Sequence, residues 1–313
     1  MKDDKISLMP LAGMNLAGED EALQIGGNEP RVYVRDALNV DISPSGKPRL
    51  RPSMREVTAQ PLENLWQSPL HGDTFATMGD QLVRVDTSAG WSLQVLATIG
   101  DGPVSFEVLN NAVLAAGPAG IFRYDGIQAL PLAIDTPAPP MAHADTGGSM
   151  VAGLYGLAVS WLRGTIESAP SEMTSCAVAQ NGLMDLTLPM CFDSTVTGVR
   201  LYMTRPDGGE LLRAGDYPIG TVTLSITLLP QLGAAPQFLH MDTMPSGLYL
   251  SYWRGRLLTA GANVLRFSEV LAYHIHDQRH GFVQMPQRIT FVRPVDAGIW
   301  VGQVDHVAFL AGS

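Results

Sequence analysis

The sequence predicts an all-β protein, a β-propeller-like domain interrupted by a β-sandwich, and three observations predict it. Four stretches repeat one pattern: GDTFATMGDQLVRVD from Gly72, NNAVLAAGPAGIFRYDG from Asn110, RGRLLTAGANVLRFSE from Arg254 and DAGIWVGQVDHVAFLAG from Asp296. Each is a short apolar strand, a turn built from Gly, Asp, Asn or Pro, and a second strand, which is how propeller blades read. Gly (32) and Pro (22) are both frequent and no long helical periodicity accompanies them, so the chain favours many strands and many turns. Between the second and third copies the text changes to short alternating strands, six or seven over roughly 100 residues, the reading for a sandwich.

The 313 residues suffice for one large or two ordinary domains. With 46% hydrophobic and 16% charged residues the chain belongs to the folded class, not the disordered one. A formal net charge of -10 argues against a protein that grips nucleic-acid phosphates. It is compatible with a wall that DNA slides past, because like charge prevents sticking. Two cysteines, Cys176 and Cys191, are too few for a disulfide-stapled module; they read as reduced thiols, with a cross-strand pair as the alternative. The N-terminus has no basic region followed by an apolar run, and no stretch approaches the ~20 apolar residues of a membrane span. The expectation is synthesis in the cytoplasm without export by the ordinary route.

In chain order, residues 1–30 read as an extended arm. Residues 31–140 form the first propeller-like part. It opens with a hairpin, RVYVRDALNVDI and KPRLRPSMREVT about an SPSG turn. The first repeat fills Asn64–Ile99, with WSLQVLA as a further strand, and the second runs from Val104 to Leu132. Thr136–Pro140 is a proline-rich boundary, since prolines cannot continue a sheet, and Gly147-Gly148-Ser149 reads as added flexibility. Residues 141–245 form the sandwich insert and 246–313 the second propeller-like part. The two flanks are therefore expected to pack together in space.

Asp36–Pro52, DALNVDISPSGKPRLRP, resembles the opening of the propeller in tail hub, or nozzle, proteins of short-tailed bacteriophages, with Ser53 where a glycine is common. The insert is similar to the fibronectin-III-like domains of such proteins, on WLRGTIESAPS from Trp161 and VRLYMTR from Val199. Phe267-Ser-Glu269 to Phe291, and Phe309–Gly312, look like the propeller strands after the insert. Family members are usually longer, with more blades after the insert, so this propeller is expected to be small or incomplete, or closed by the N-terminal arm or a neighbouring subunit. The resemblance implies a virion protein of the tail or neck. It would be a homo-oligomeric ring beside portal, adaptor or tail proteins, passing double-stranded DNA without sequence-specific binding.

Candidate chemistry is sparse. His274, His276, Asp277 and His280 lie in HIHDQRH; alternate histidines on a strand share a face, so they are weak candidates for a metal site, against a polar inter-blade loop. Asp73, Asp86, Asp125, Asp296 and Asp305 fall at strand ends or turns, where Asp caps backbone amides. No Gly-x-Ser-x-Gly elbow, phosphate loop or dinucleotide fingerprint occurs, so neither catalysis nor a cofactor is expected. The densest positive patch is Lys47–Arg55, with Arg49, Arg51 and Arg55 as interaction candidates toward a subunit or, less favoured, DNA. The five tryptophans, one per strand unit, read mostly as core. The alternative functions are a carbohydrate-binding or carbohydrate-cleaving propeller at a host surface, and a cytoplasmic scaffold propeller.

Overall fold

The computed structural model of the chain describes residues 10–17, 19, 23–25, 31–69 and 71–312. Among the described residues the named elements are all strands, and no sheet closes into a barrel. No helix among the described residues is long and apolar enough to cross a membrane. The chain divides into two compact units, Met1–Ala59 and Gln60–Ser313.

In the first unit, β1 (Leu11–Met14) pairs in parallel with β3 (Arg31–Val34), which also pairs with β2 (Gln24–Ile25). Residues on both sides of residue 30 thus share one sheet. β4 (Val40–Ile42) and β5 (Pro48–Leu50) form the hairpin about Ser43–Gly46. It is shorter than the sequence suggested. Asn39, at φ 54°, turns the chain between β3 and β4, and strand pairing stops at Leu50, so Arg51–Thr58 is not a strand. Pro52 lacks the N–H that would continue the ladder.

The second unit opens with two antiparallel meanders. β6 (Glu63–Gln67), β7 (Thr74–Met78), β8 (Gln81–Asp86) and β9 (Ser92–Thr98) make the first blade. β10 (Ser105–Leu109), β11 (Ala112–Gly117), β12 (Gly120–Tyr124) and β13 (Ala129–Pro131) make the second. Asn110 and Asn111, both at positive φ, give the β10–β11 turn the twist that suits a two-residue hairpin.

The insert follows as β14 (Met141–Met150), β15 (Gly153–Arg163), β16 (Ile166–Glu167), β17 (Thr174–Val178), β18 (Gly182–Thr187), β19 (Gly198–Met203), β20 (Leu212–Pro218) and β21 (Thr223–Ile226). One sheet runs β14-β18-β21, the other β16-β15-β19-β20 with β17 also on β15. Their facing side chains, among them Met150, Tyr155, Leu157, Trp161, Met184, Leu186, Leu201, Met203 and Ile226, share one core, so the insert is a sandwich. Gly147–Ser149 is not a flexible linker. It is a register shift inside β14, where a Cβ on Gly148 would lie 2.2 Å from the Gly182 carbonyl oxygen. Glycine is there for close approach.

Pro170 explains why β16 and β17 are two strands. Ser168 and Ser171 flank it, and their hydroxyls accept from the Trp161 and Val159 amides at 2.9 and 3.1 Å. Buried serines thus replace ladder carbonyls that the proline interrupts.

After the insert, β22 (Asp242–Thr243) leads into β23 (Ser251–Trp253), β24 (Arg256–Gly261), β25 (Val264–Phe267), β26 (Ile275–His276) and β27 (Phe282–Gln284). The third blade has the order β23-β24-β25-β27, while β22 pairs with β26. The fourth has three strands among the described residues, β28 (Ile289–Val295), β29 (Gly298–Gln303) and β30 (Val307–Ala311). All four repeated phrases are the second and third strands of these meanders in the first three blades, and the last two strands in the fourth.

Apolar seams join the blades in succession. Trp66 stacks on Phe106 at 5.0 Å, and Phe75 meets Tyr124 edge-on at 5.4 Å, between the first and second. Leu109, Leu114, Ala116, Ile121 and Leu132 pack with Leu250 and Leu257 between the second and third. Leu258, Ala260 and Leu265 pack with Ile289, Val292, Ile299 and Val301 between the third and fourth. The flanks of the insert are therefore in contact, and this burial of large aliphatic side chains is what holds them.

Candidate interaction surfaces

The sandwich meets the blades through a mixed seam. Ala169 packs with Phe238, Ala272 and Ile275, and the Phe238 and His274 rings meet edge-on at 5.6 Å. His274 Nε2 lies 3.0 Å from the Glu167 carbonyl oxygen. An Arg163 guanidinium N–H donates to the Leu132 carbonyl at 3.1 Å, tying β15 to the end of the second blade. Burial pushes the His274 pKa below its ordinary value, with the nearby Arg163 charge adding to the effect.

The three candidate histidines have separate partners. His276 is buried, its Nδ1 3.1 Å from the Phe267 carbonyl oxygen, and exposed His280 has its Nδ1 3.2 Å from Asp277 Oδ2. His274 and His276 do not share a strand face, because β26 begins only at Ile275. Among the described residues no group of three His, Cys, Asp or Glu side chains is placed to hold a metal ion. Asp277 is a turn cap: the Arg279 amide and then the His280 side chain lower its pKa to about 2.

Asp86 and Asp125 also cap turns. Asp86 Oδ1 accepts from Ser88 Oγ and from the Ser88 and Ala89 amides, Asp125 Oδ1 from the Gln128 and Ile127 amides, and these bonds hold both carboxyls below the usual range. Asp73 instead pairs with Arg84 at 2.7 Å across the blade, and Asp305 with His306 at 2.6 Å. Cys176 and Cys191 are free thiols, Cys176 buried and its pKa raised by that burial.

One polar cluster had no signal in the sequence. Glu167 accepts from Ser160 Oγ and Tyr202 Oη, each at 2.6 Å, and from Arg200, which also forks onto Asp216 at 2.7 and 2.9 Å. Arg213 closes the chain on Asp216. These side chains come from four strands or their flanks, and only pairing places Arg200 opposite Asp216. Every carboxylate oxygen in the cluster has a cationic or hydroxyl partner, an arrangement that rigidifies a sheet face.

A cavity of about 920 Å³ opens between the sandwich and the segment returning to the blades. Met173, Leu211, Leu239 and Met241 line it with Glu172, Glu210 and Asp242. Its described walls carry no Trp, Tyr or Phe, so it lacks the aromatic platform a sugar ring would stack on.

The interaction candidates Arg49, Arg51 and Arg55 lie on an open stretch. Every residue from Lys47 to Val57 is exposed, including Leu50, Met54 and Val57. Arg49 is in β5 opposite Asp41, and Arg51, just beyond the strand, bonds Asp41 at 2.7 Å. From Pro52 to Val57 no hydrogen bond to another described residue is made. The exposed stretch therefore carries both apolar and cationic side chains.

A second open surface is the outer side of the last blade. Val292, Ile299, Val301 and Leu310 face the third blade, whereas Phe291, Val295, Trp300, Val307 and Phe309 are exposed on the other face. Trp300, still 43% exposed, meets the Phe309 ring at 4.6 Å. This tryptophan is not core, unlike Trp161. No protein-family model matches the chain, and no curated protein matches it either.

Proposed function

We propose that the chain is a structural component of a bacteriophage tail or neck, assembling with copies of itself into a ring that lines or extends the genome-ejection conduit. The observation that carries the reading is the interruption: two blade pairs pack on each other through Leu114 and Leu257 although a complete sandwich is inserted between them. That organisation, with the DALNVDISPSGKPRLRP opening, is what resembles the tail hub and nozzle proteins, whose inserts are fibronectin-III-like. The exposed apolar face of the last blade supports assembly, since monomeric proteins rarely leave such a face open. The acidic balance suits a wall past which DNA moves. Portal, adaptor or other tail proteins are the neighbours in this reading, and the role is assembly without catalysis, cofactor or metal.

Negative-stain imaging of the purified protein tests it. Annular particles with a central channel are expected; a protein that stays monomeric and is absent from virions contradicts it.

A further inference from the structure

We infer that the third blade carries a binding site for a small organic oxyanion, an acidic head group on an apolar body, held between Arg266 and His276. The inference is independent of the ring-forming reading above.

Strand register builds the site. Thr259, Arg266 and Phe282 lie directly opposite one another across β24, β25 and β27, so they share one face of the blade. Thr259 Oγ1 donates to the Pro245 carbonyl at 2.9 Å, which holds the segment after β22 over that face. β26 ends at His276, and Gln278 follows two residues on. Between these parts lies a cavity of about 350 Å³, lined by Arg266, His276 and Gln278 with Pro245, Val264 and Phe282. Apolar walls with a few convergent polar groups are the usual make-up of a small-molecule site, and this volume is at the small end of their range.

Two of the polar groups have capacity left over. Among the described residues the half-buried Arg266 guanidinium makes no ion pair or hydrogen bond, whereas Arg254 and Arg256 of the same blade donate to the Asp296 and Ser268 carbonyls. His276 is only 3% exposed. Its Nδ1 lies 3.1 Å from the Phe267 carbonyl oxygen, and a carbonyl only accepts, so Nδ1 carries the hydrogen. A Cβ on Gly281 would lie 2.7 Å from Nδ1 and 2.9 Å from Cε1, so that side of the ring is packed and the Nε2 side is the one left to line the cavity. No described group bonds Nε2. A polar edge this deeply buried needs a partner.

The charged groups around His276 favour an anion as that partner. Asp242, opposite His276 on β22, already accepts from the Thr243 amide and Gln278 Nε2 at 2.7 and 2.6 Å. Asp277 is held by Arg279 and His280, and Glu269 lies 3.8 Å from Arg256. β27 contributes no charged side chain. Arg266 is therefore the uncompensated charge on the cavity wall. Its planar fork takes two oxygens of an oxyanion, and a protonated imidazole donates to a third or shares one of them. Phe282, Val264 and Pro245 cover the apolar body.

Calorimetric titration of the full chain with phenyl sulfate, whose charge is fixed near neutral pH, tests the site, with benzyl alcohol as the neutral comparison. Phenyl sulfate is expected to bind with a Kd below about 1 mM and benzyl alcohol about ten-fold or more weakly. Arg266→Gln is expected to weaken phenyl sulfate about ten-fold or more, and Arg123→Gln, on an exposed face of the second blade, to leave it unchanged. Because Nδ1–H is committed to a carbonyl, an anion gains Nε2 only when the imidazole is charged, so binding is expected to tighten from pH 8 to pH 5 and to lose that dependence in His276→Gln. No binding, equal binding of the alcohol, or equal weakening by Arg123→Gln would overturn the inference, as would an unchanged pH dependence in His276→Gln. Nitrogen NMR of histidine-labelled wild type needs no substitution. One histidine Nε2 signal is expected to move on adding phenyl sulfate, and an unmoved spectrum would contradict the proposal.

Discussion

The hydroxyl of Ser246 donates to the carbonyl of Gly117 at 2.7 Å, across 129 positions of sequence. Ser105 Oγ accepts from the Leu250 amide at 3.0 Å in the same seam. The blade edges on the two sides of the insert are thus joined by polar contacts as well as by Leu114 and Leu257. Leu257 has no exposed surface. Leu257→Ala is expected to cost about 2–5 kcal/mol, the range for a large-to-small change that leaves a cavity. Urea denaturation checks this, and a loss below about 1 kcal/mol would mean that the seam collapses around the change or contributes little.

The sandwich–blade contact through His274 is expected to be pH-sensitive. Its folded pKa lies below the ordinary histidine value because of burial, so the folded state disfavours the proton. The stabilisation is then fully present above the unfolded pKa of about 6.5 and is lost as pH falls from there through the depressed folded value. His274→Gln keeps a donor for the Glu167 carbonyl and cannot titrate. Between pH 7 and pH 5 its Tm is expected to fall less than that of the wild type. Equal falls would contradict a titrating role.

Glu167→Ala removes the acceptor shared by Ser160, Tyr202 and Arg200. Arg200 keeps Asp216, but Tyr202 Oη and Ser160 Oγ lose their partner within a part-buried cluster. The expected loss is about 2 kcal/mol, the scale of hydrogen bonds to a charged group. Thermal unfolding of the variant measures it.

Gly148→Ala probes the β14 irregularity. The added methyl would press on the Gly182 backbone, which cannot swing aside as a side chain can. A loss of about 1–3 kcal/mol is expected, as for overpacking. Gly209→Ala, at a site where a Cβ meets nothing within 4 Å, serves as the control and is expected to be near neutral.

The four blade hairpins were legible in the sequence because each joins adjacent strands through turn residues, a local signal. The sandwich strands β15, β18 and β19 were legible by alternation for the same reason. Local pattern failed where partners are distant. The hairpin expected to run to Thr58 ends at Leu50, since nothing in Arg51–Thr58 itself reveals that its pairing with β4 stops there. Gly147–Ser149 reads as a linker until pairing with β18 places Gly148 against Gly182. Glu167, Arg200 and Asp216 carry no motif, because strand register alone assembles them. Trp300 had the composition of core, yet its face of the last blade is open and it stays 43% exposed.

The most direct test is protein mass spectrometry of gradient-purified, DNA-containing particles from a culture that makes this chain. The account requires the chain to co-sediment with intact particles in a fixed ratio to the other tail proteins. Its absence from the particles, with all of it recovered as free protein, would contradict the proposed role.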